Sequence, residues 1–113
     1  MVNQLDSTLA ALADPTRRRV VELLRQQPRA AGDLASTTGV TAPTMSRHLR
    51  VLRRSGLVED RAVDHDARIR MYRLRPERFE GLEAWLGEVR GFWVQELAAF
   101  KSYADGSGVA TKQ

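Results

Sequence analysis

The sequence of 113 residues contains no cysteine and only two histidines, His48 and His65. A chain without cysteine forms no disulfide, no thiolate metal site and no cysteine nucleophile. Two histidines are too few for the common zinc sites, which take nitrogen or sulfur ligands from several side chains. The sequence therefore predicts neither a metal site nor a cofactor.

Long apolar runs are also absent. No stretch approaches the roughly 20 residues that span a bilayer, and residues 1–6 lack the basic and apolar parts of a signal peptide. We therefore expect a soluble protein of the cytoplasm. Apolar residues make up 42% of the sequence and charged residues 28%, which is typical of one small globular domain.

No combination of side chains typical of a catalytic site occurs. Ser46 and His48 stand two residues apart in a predicted helix, so they point in different directions and cannot act as nucleophile and base. The pair His65-Asp66 is similar to the metal-binding dipeptide of some phosphohydrolases, but the other histidines that such a site needs are absent. We predict that the protein is not an enzyme.

Two helices are predicted before the helix-turn-helix segment. Leucines at helical spacing predict a helix over residues 4–13. Asp14 is a good N-cap and Pro15 suits the first helical position, so a second helix begins there. It ends near Gln26, before Pro28.

A helix-turn-helix pattern follows. Residues 31–37 are predicted to form a short helix, and Gly39 gives the next turn the backbone freedom it needs. Thr41 can cap a fourth helix that runs to about Arg54, where Ser55-Gly56 is a stop signal. Two short helices joined by a glycine turn form a helix-turn-helix.

The remainder of the chain changes to strands and then to one long helix. Residues 57–63 and 69–75 contain the β-branched and aromatic residues of two strands, and residues 64–68 form the loop of a hairpin. A long helix is predicted over residues 76–103. Residues 105–113, which include glycine and serine, are predicted to be a disordered tail.

Positive charge is concentrated in the middle of the chain. The net charge is +4, and residues 41–75 contain nine arginines against four acids, whereas the segments before and after carry +1 and −2. The planar guanidinium group suits phosphates and guanine edges. A solvated basic surface is the alternative, and charge alone does not decide between them.

The fourth predicted helix has two different faces. Met45, Leu49 and Leu52 share one side, which must pack on the preceding helices. The opposite side carries small polar groups and arginines, and no acid occurs between Thr41 and Val58, so a salt-bridged surface helix is disfavoured. We expect this face to bind the major groove of DNA. The candidate DNA-binding residues of this helix are Thr41, Pro43, Thr44, Ser46, Arg47, His48, Arg50 and Arg54.

Two features of this prediction are open to alternatives. His48 lies at the edge of the core face, where it either reaches a phosphate or only completes the packing. In the hairpin, Arg68 and Arg70 are further candidates for DNA contact, with Arg68 near the loop tip. Charged strand edges that discourage aggregation are the alternative for these arginines, and Asp64 and Asp66 in the same loop would repel phosphate.

The last helix carries an apolar seam at spacings of three and four residues, which predicts a dimer interface. The first helix is expected to join it. The alternatives are an intramolecular core and an aromatic-lined ligand pocket. The predicted interface residues are Leu5, Leu9, Leu82, Leu86, Val89, Trp93, Leu97 and Phe100.

Several ordered motifs together resemble the ArsR family of bacterial winged-helix repressors over residues 8–75. They are LADPTRR at 12–18, the segments DLA and GVT around the turn at 33–41, TMSRHLRVL at 44–52, SGLV at 55–58, and Arg68 with Tyr72 and Leu74. The resemblance implies a homodimer that represses transcription from a palindromic operator, with its recognition helix at 41–54 and its wing at 57–75.

The chain departs from many members of this family at two points. Metal-sensing relatives use cysteines near the recognition helix, or histidines and acids on the terminal helices. This chain has no cysteine and no histidine on a terminal helix, so the metal-sensor role does not carry over. Ala67 stands where the wing usually has a glycine before its arginine.

The predicted fold class is mostly α with a small β-hairpin: a winged helix-turn-helix of four helices, two strands and a long fifth helix. Residues 1–104 form the domain, with dimerisation helices at about 4–13 and 76–103. The predicted partners are double-stranded DNA and a second copy of the chain, and the sequence leaves open whether a small-molecule effector exists. The alternative function is a winged-helix protein-interaction module without DNA binding.

Overall fold

The computed structural model describes residues 3–63 and 65–109. The chain divides into two compact units between Gly81 and Leu82. The first unit contains four helices and a small sheet, and the second consists of most of the last helix. The helices are α1 (Gln4–Ala11), α2 (Pro15–Gln26), α3 (Ala31–Thr38), α4 (Ala42–Arg54) and α5 (Glu80–Val109).

Side-chain caps begin three of these helices. The backbone N–H of Asp6 donates to Asn3 Oδ1 (2.8 Å) at the start of α1. The N–H of Arg17 donates to Asp14 Oδ2 (3.0 Å) at the start of α2, and Thr41 accepts from the N–H of Thr44 (3.3 Å) at the start of α4. Each cap satisfies a donor that has no partner within the helix. The predicted caps Asp14 and Thr41 are confirmed.

Two glycines adopt the left-handed backbone that ends a helix. Gly39 has φ 75° after α3, and Gly56 has φ 82° after α4. The N–H of Gly39 donates to the carbonyl of Ala35 (2.9 Å), which satisfies the end of α3. A side chain at either position would strain the backbone. The glycine in the turn of the helix-turn-helix is therefore required by its geometry.

The first helix is shorter than predicted because arginines cap its C-terminal end. It ends at Ala11 rather than near residue 13. Arg17 donates from Nε to the carbonyl of Ala11 (2.6 Å) and from Nη2 to that of Ala10 (3.3 Å). Arg18 donates to the carbonyl of Leu12 (2.7 Å). These side chains take the place of the hydrogen bonds of a further helical turn.

The sheet has three antiparallel strands, one more than the predicted hairpin. They are β1 (Arg29–Ala30), β2 (Val58–Val63) and β3 (Asp66–Leu74), in the order β1-β3-β2. The two-residue strand β1 is too short to show an alternating pattern, so the sequence did not predict it. The second long strand begins at Asp66 rather than at Ile69, so the predicted loop over residues 64–68 was too long.

The hydrophobic core of the first unit lies between the helices and the sheet. The predicted inward residues of α4, Met45, Leu49 and Leu52, are at most 2% exposed. Tyr72 and Leu74 of β3 pack against this core, as predicted from their common strand face. The core thus holds one side of α4 and leaves its other side to solvent.

The last helix differs from its prediction at both ends. Residues Pro76–Phe79 form a 3-10 turn, closed by the N–H of Arg78 on the carbonyl of Arg75 (2.9 Å), so α5 begins at Glu80. It then runs to Val109, beyond the predicted end at residue 103. Residues 110–113 of the predicted tail lie outside the described residues. Within the described ranges, no helix has the length and apolar character needed to cross a membrane.

Candidate nucleic-acid interface

The exposed side of α4 carries most of the predicted contact residues. Ser46, Arg47, Arg50 and Arg54 are all exposed, whereas the opposite side of the helix is buried in the core. Because α4 follows α3 across the tight turn at Gly39, α4 is the second helix of a helix-turn-helix. The helix therefore presents a row of arginines outward on a rigid support.

The arginines of this side have few partners in the protein. Arg47 donates from Nη2 to the Thr44 hydroxyl (3.3 Å). Within residues 3–63 and 65–109, neither Arg50 nor Arg54 forms an ion pair with a carboxylate. Their charge is therefore not neutralised within the described part of the chain, and it is available to an external anion.

The first turn of α4 has a hydroxyl that can donate outward. Thr44 Oγ1 accepts from the Thr41 hydroxyl (3.0 Å) and from Arg47 Nη2 (3.3 Å). A hydroxyl oxygen has two lone pairs, and these two hydrogen bonds occupy both of them. The hydroxyl hydrogen of Thr44 therefore remains free to donate. The N-terminal end of a helix also favours an anion through its N–H groups and dipole. Pro43 is exposed in the same turn, which contains no acid.

His48 occupies a different environment from these residues. Its side chain is only 16% exposed, its Nδ1 lies 3.2 Å from Arg17 Nη1, and its Nε2 lies 3.9 Å from Asp14 Oδ2. Arg17 can only donate, so Nδ1 is the acceptor in this contact. The geometry supports the packing alternative, in which His48 joins α4 to the start of α2.

The Asp14 carboxylate next to His48 is stabilised in its charged form. The N–H of Arg17 that it accepts as an N-cap holds the pKa of Asp14 below its usual value, although partial burial opposes this. The positive charge of the nearby Arg17 side chain lowers the pKa further. Asp14 therefore remains ionised in neutral solution and continues to cap α2.

The arginines of the wing, by contrast, are paired with wing carboxylates. Arg68 donates to Asp66 from its backbone N–H (3.0 Å) and from Nε (3.2 Å), and these bonds lower the pKa of Asp66. Arg70 donates from Nε to Asp60 Oδ2. Arg68 still projects outward, with 91% of its side chain exposed. The wing is thus less positive than its count of arginines indicated.

Strand register explains why this pairing was not predicted. Glu59 lies directly opposite Arg73 in the ladder between β2 and β3, and Arg73 Nε donates to Glu59 Oε2 (2.6 Å). These residues are 14 positions apart in the chain, so only the register brings them together. The Glu59–Arg73 pair could have been predicted from the sequence only by deducing the strand register from the hairpin pattern.

An open groove of about 400 Å³ lies between α4 and β3, on the arginine side of the helix. Three of its residues, Leu49, Arg53 and Tyr72, were not among the predicted contacts. Arg53 Nε lies 3.5 Å from Asp60 Oδ1 of the wing. The groove is lined by Ser46, Leu49, Arg50, Arg53, Arg54 and Tyr72.

The residues of the predicted dimer interface differ in exposure. On α1, Leu9 is 39% exposed and Leu5 is partly buried. On α5, Leu82 and Val89 are partly buried, and the others are widely exposed. The large exposed apolar residues of α5 are Trp85, Leu86, Phe92, Trp93, Val94, Leu97, Phe100 and Tyr103.

No metal centre is evident in the part of the chain that the structure describes. In residues 3–63 and 65–109, no three side chains of histidine, cysteine, aspartate or glutamate are grouped as ligands.

Comparison with known proteins places this architecture in a family. Residues 12–61 match the sequence model of a helix-turn-helix domain family. An HTH-type transcriptional regulator of Mycobacterium tuberculosis is 38% identical over 103 residues, which is 91% of each chain. An ArsR family transcriptional regulator of known structure is 33% identical with a TM-score of 0.71, over 80% of this chain and 97% of that one. The chain belongs to the ArsR family of transcriptional regulators.

Solved structures of ArsR-type regulators have the same fold. An ArsR-like regulator from Rhodococcus is 29% identical with a TM-score of 0.71, over 91% of this chain and 92% of that one. A homodimeric winged helix-turn-helix DNA-binding domain from Mycobacterium bovis is 30% identical with a TM-score of 0.62, over 82% of this chain and 83% of that one. The predicted winged helix-turn-helix fold and the ArsR resemblance are confirmed.

Proposed function

We propose that this ArsR-family regulator is a homodimeric repressor that binds an inverted-repeat operator through the exposed side of α4 and the wing. The observation that supports this most directly is the row of arginines on α4. Arg50 and Arg54 are exposed and have no carboxylate partner among the described residues. A row of uncompensated guanidinium groups on a rigid helix suits the phosphates and guanine edges of a major groove.

The first turn of α4 is proposed to anchor the helix on the DNA backbone. The free hydroxyl hydrogen of Thr44 and the N–H groups of this turn can donate to one phosphate, which fixes the position of the helix. Ser46 and Arg47 then face the base edges from the next turn. Phosphate contacts set the orientation in this arrangement, and base contacts set the sequence preference.

Arg68 is proposed to add a backbone contact from the wing. Its guanidinium group is held by Asp66, but it is 91% exposed. An exposed ion pair contributes little stability, so a phosphate can replace the Asp66 carboxylate at small cost. We expect this contact to raise the affinity for all sequences alike. Arg70 faces Asp60 instead, and we assign it to the architecture of the wing.

The dimer is proposed to form through α5. Trp93, Leu97 and Phe100 are between 55% and 70% exposed, and apolar surface of this kind is stabilised by a partner. A second copy is the proposed partner, because the similar domain from Mycobacterium bovis is homodimeric. A two-fold dimer places two α4 helices about 34–36 Å apart, one turn of DNA, which fits an inverted repeat.

Binding of labelled genomic fragments, measured by fluorescence anisotropy over a range of salt concentrations, tests this function. We expect Arg50→Ala to weaken binding and to make the salt dependence shallower by about one unit for each phosphate that Arg50 neutralises. Arg25→Ala is the matched control, because Arg25 is exposed on α2 and paired with Glu22. Equal effects of the two substitutions would contradict the proposal.

The same assay distinguishes the alternative of a protein-interaction module. That alternative predicts no binding to any genomic fragment, and it leaves the unpaired arginines of α4 without a role. We also propose that the protein acts in the cytoplasm and has no enzymatic activity, since its relatives are named as transcriptional regulators.

A further inference from the structure

Asp60 connects the recognition helix to the wing through two arginines. Its Oδ1 lies 3.5 Å from Arg53 Nε, in the last turn of α4, and its Oδ2 accepts from Arg70 Nε, on the neighbouring strand β3. Each carboxylate oxygen therefore faces a different arginine. The Asp60 side chain is only 10% exposed, whereas those of Arg53 and Arg70 are 54% and 48% exposed.

The other described carboxylates of the wing, Glu59 and Asp66, do not make this connection. Asp66 pairs with Arg68, two residues away, and Glu59 pairs with Arg73 across the ladder. Both pairs join the wing to itself. Over residues 3–63 and 65–109, the Arg53–Asp60 pair is the ion pair between α4 and the wing.

The burial of Asp60 determines what this arrangement does. A carboxylate largely withdrawn from water interacts more strongly with its partners than an exposed one, and its removal leaves those partners uncompensated. Without Asp60, the two guanidinium groups would repel each other across the gap between α4 and β3. Both would then be free to bind phosphates, which attract arginine regardless of sequence.

We propose that Asp60 is a positioning residue that sets the sequence specificity of DNA binding. It fixes the wing against α4, and it withholds Arg53 and Arg70 from non-specific phosphate contacts. The inference rests on the proposed function, since it concerns the way in which the same DNA-binding surface discriminates between sequences. It assigns a role to a carboxylate whose partner Arg53 lines the groove between α4 and β3.

The test compares three variants on two duplexes. One duplex is the sequence that the wild-type protein selects from a random pool, and the other is a scrambled duplex of the same composition. Asp60→Asn removes the carboxylate charge and keeps its shape. Arg53→Gln breaks the connection with the opposite change in charge. Asp66→Asn is the matched control, because it gives the wing the same charge change as Asp60→Asn without touching α4.

For Asp60→Asn we expect the ratio of the affinity for the selected duplex to the affinity for the scrambled duplex to fall about tenfold. A loss of this size is similar to the loss of affinity that one mismatched base pair causes. Its salt dependence on scrambled DNA should steepen by about two units, one for each released arginine. Arg53→Gln should lower the ratio similarly without steepening the salt dependence. Asp66→Asn should leave the salt dependence nearly unchanged, because the proposed phosphate contact of Arg68 is already made in the wild type, and it should change the ratio less than about twofold.

Different outcomes identify different failures. An unchanged ratio in Asp60→Asn or Arg53→Gln, or an equal fall in Asp66→Asn, would overturn the role of Asp60 alone. A wild-type protein that selects no sequence would refute the proposed function, and this inference with it. Thermal unfolding monitored by circular dichroism establishes whether each variant is folded. If Asp60→Asn does not fold, Arg53→Gln alone tests the role of Asp60.

Discussion

Substitution of Leu97 by alanine tests the proposed dimer directly. Leu97 is 61% exposed on α5, so the substitution should scarcely change the stability of a single chain. Leucine exceeds alanine by about three methylene equivalents, worth about 2.4 kcal/mol when they are fully buried. Scaled by the exposed fraction, a dimer would lose about 1.5 kcal/mol for each chain.

Symmetry doubles this loss. In a two-fold dimer the same residue occurs on both sides of the interface, so the total is about 3 kcal/mol. The dissociation constant of the dimer should therefore rise about 150-fold, since each 1.4 kcal/mol corresponds to a factor of ten. Affinity for a full inverted repeat should fall in parallel, and affinity for a single half-site should not.

Sedimentation equilibrium over a range of protein concentrations measures the dissociation constant. Gln95→Ala is the matched control, because Gln95 is exposed on α5 and lies about 200° around the helix from Leu97. An equal dissociation constant for the wild type, Leu97→Ala and Gln95→Ala would refute the placement of Leu97 in a dimer interface.

Further predictions concern the stability of the fold. Leu52→Ala should lower the free energy of unfolding in urea by about 2–5 kcal/mol, since Leu52 is fully buried. Asp14→Ala should cost about 1 kcal/mol at neutral pH through loss of the N-cap. The N–H of Arg17 holds the pKa of Asp14 below its usual 3.8, so this contribution is present above pH 3.8 and lost as the pH falls through the lowered value. The unfolding temperatures of wild type and Asp14→Ala should therefore converge in acid. Gly39→Ala should destabilise by about 1–2 kcal/mol because φ is 75°, whereas Gly32→Ala, within α3 and without close neighbours, should stabilise by up to about 1 kcal/mol.

Features that depend on neighbouring residues were predicted well from the sequence. The caps Asp14 and Thr41 stand next to the helices that they begin, and Gly39 lies in the turn that requires it. The faces of α4 follow from helical periodicity, so the burial of Met45 and the exposure of Arg50 were both predictable.

Features that depend on distant residues were not predictable in the same way. Strand β1 exists only because Arg29 and Ala30 pair with β3, and two residues have no periodicity of their own. The position of His48 beside Arg17 depends on the packing of α4 against the start of α2.

By itself, the sequence determined that this protein has a helix-turn-helix with an arginine-bearing second helix, because caps, turns and periodicity act over a few residues. Only the tertiary structure decided which arginines have carboxylate partners. Arg70 meets Asp60 across β2 and β3, and Arg53 meets the same carboxylate from α4. Such ion pairs form where strand register and helix packing bring side chains together, and neither is determined by the residues next to them in the chain.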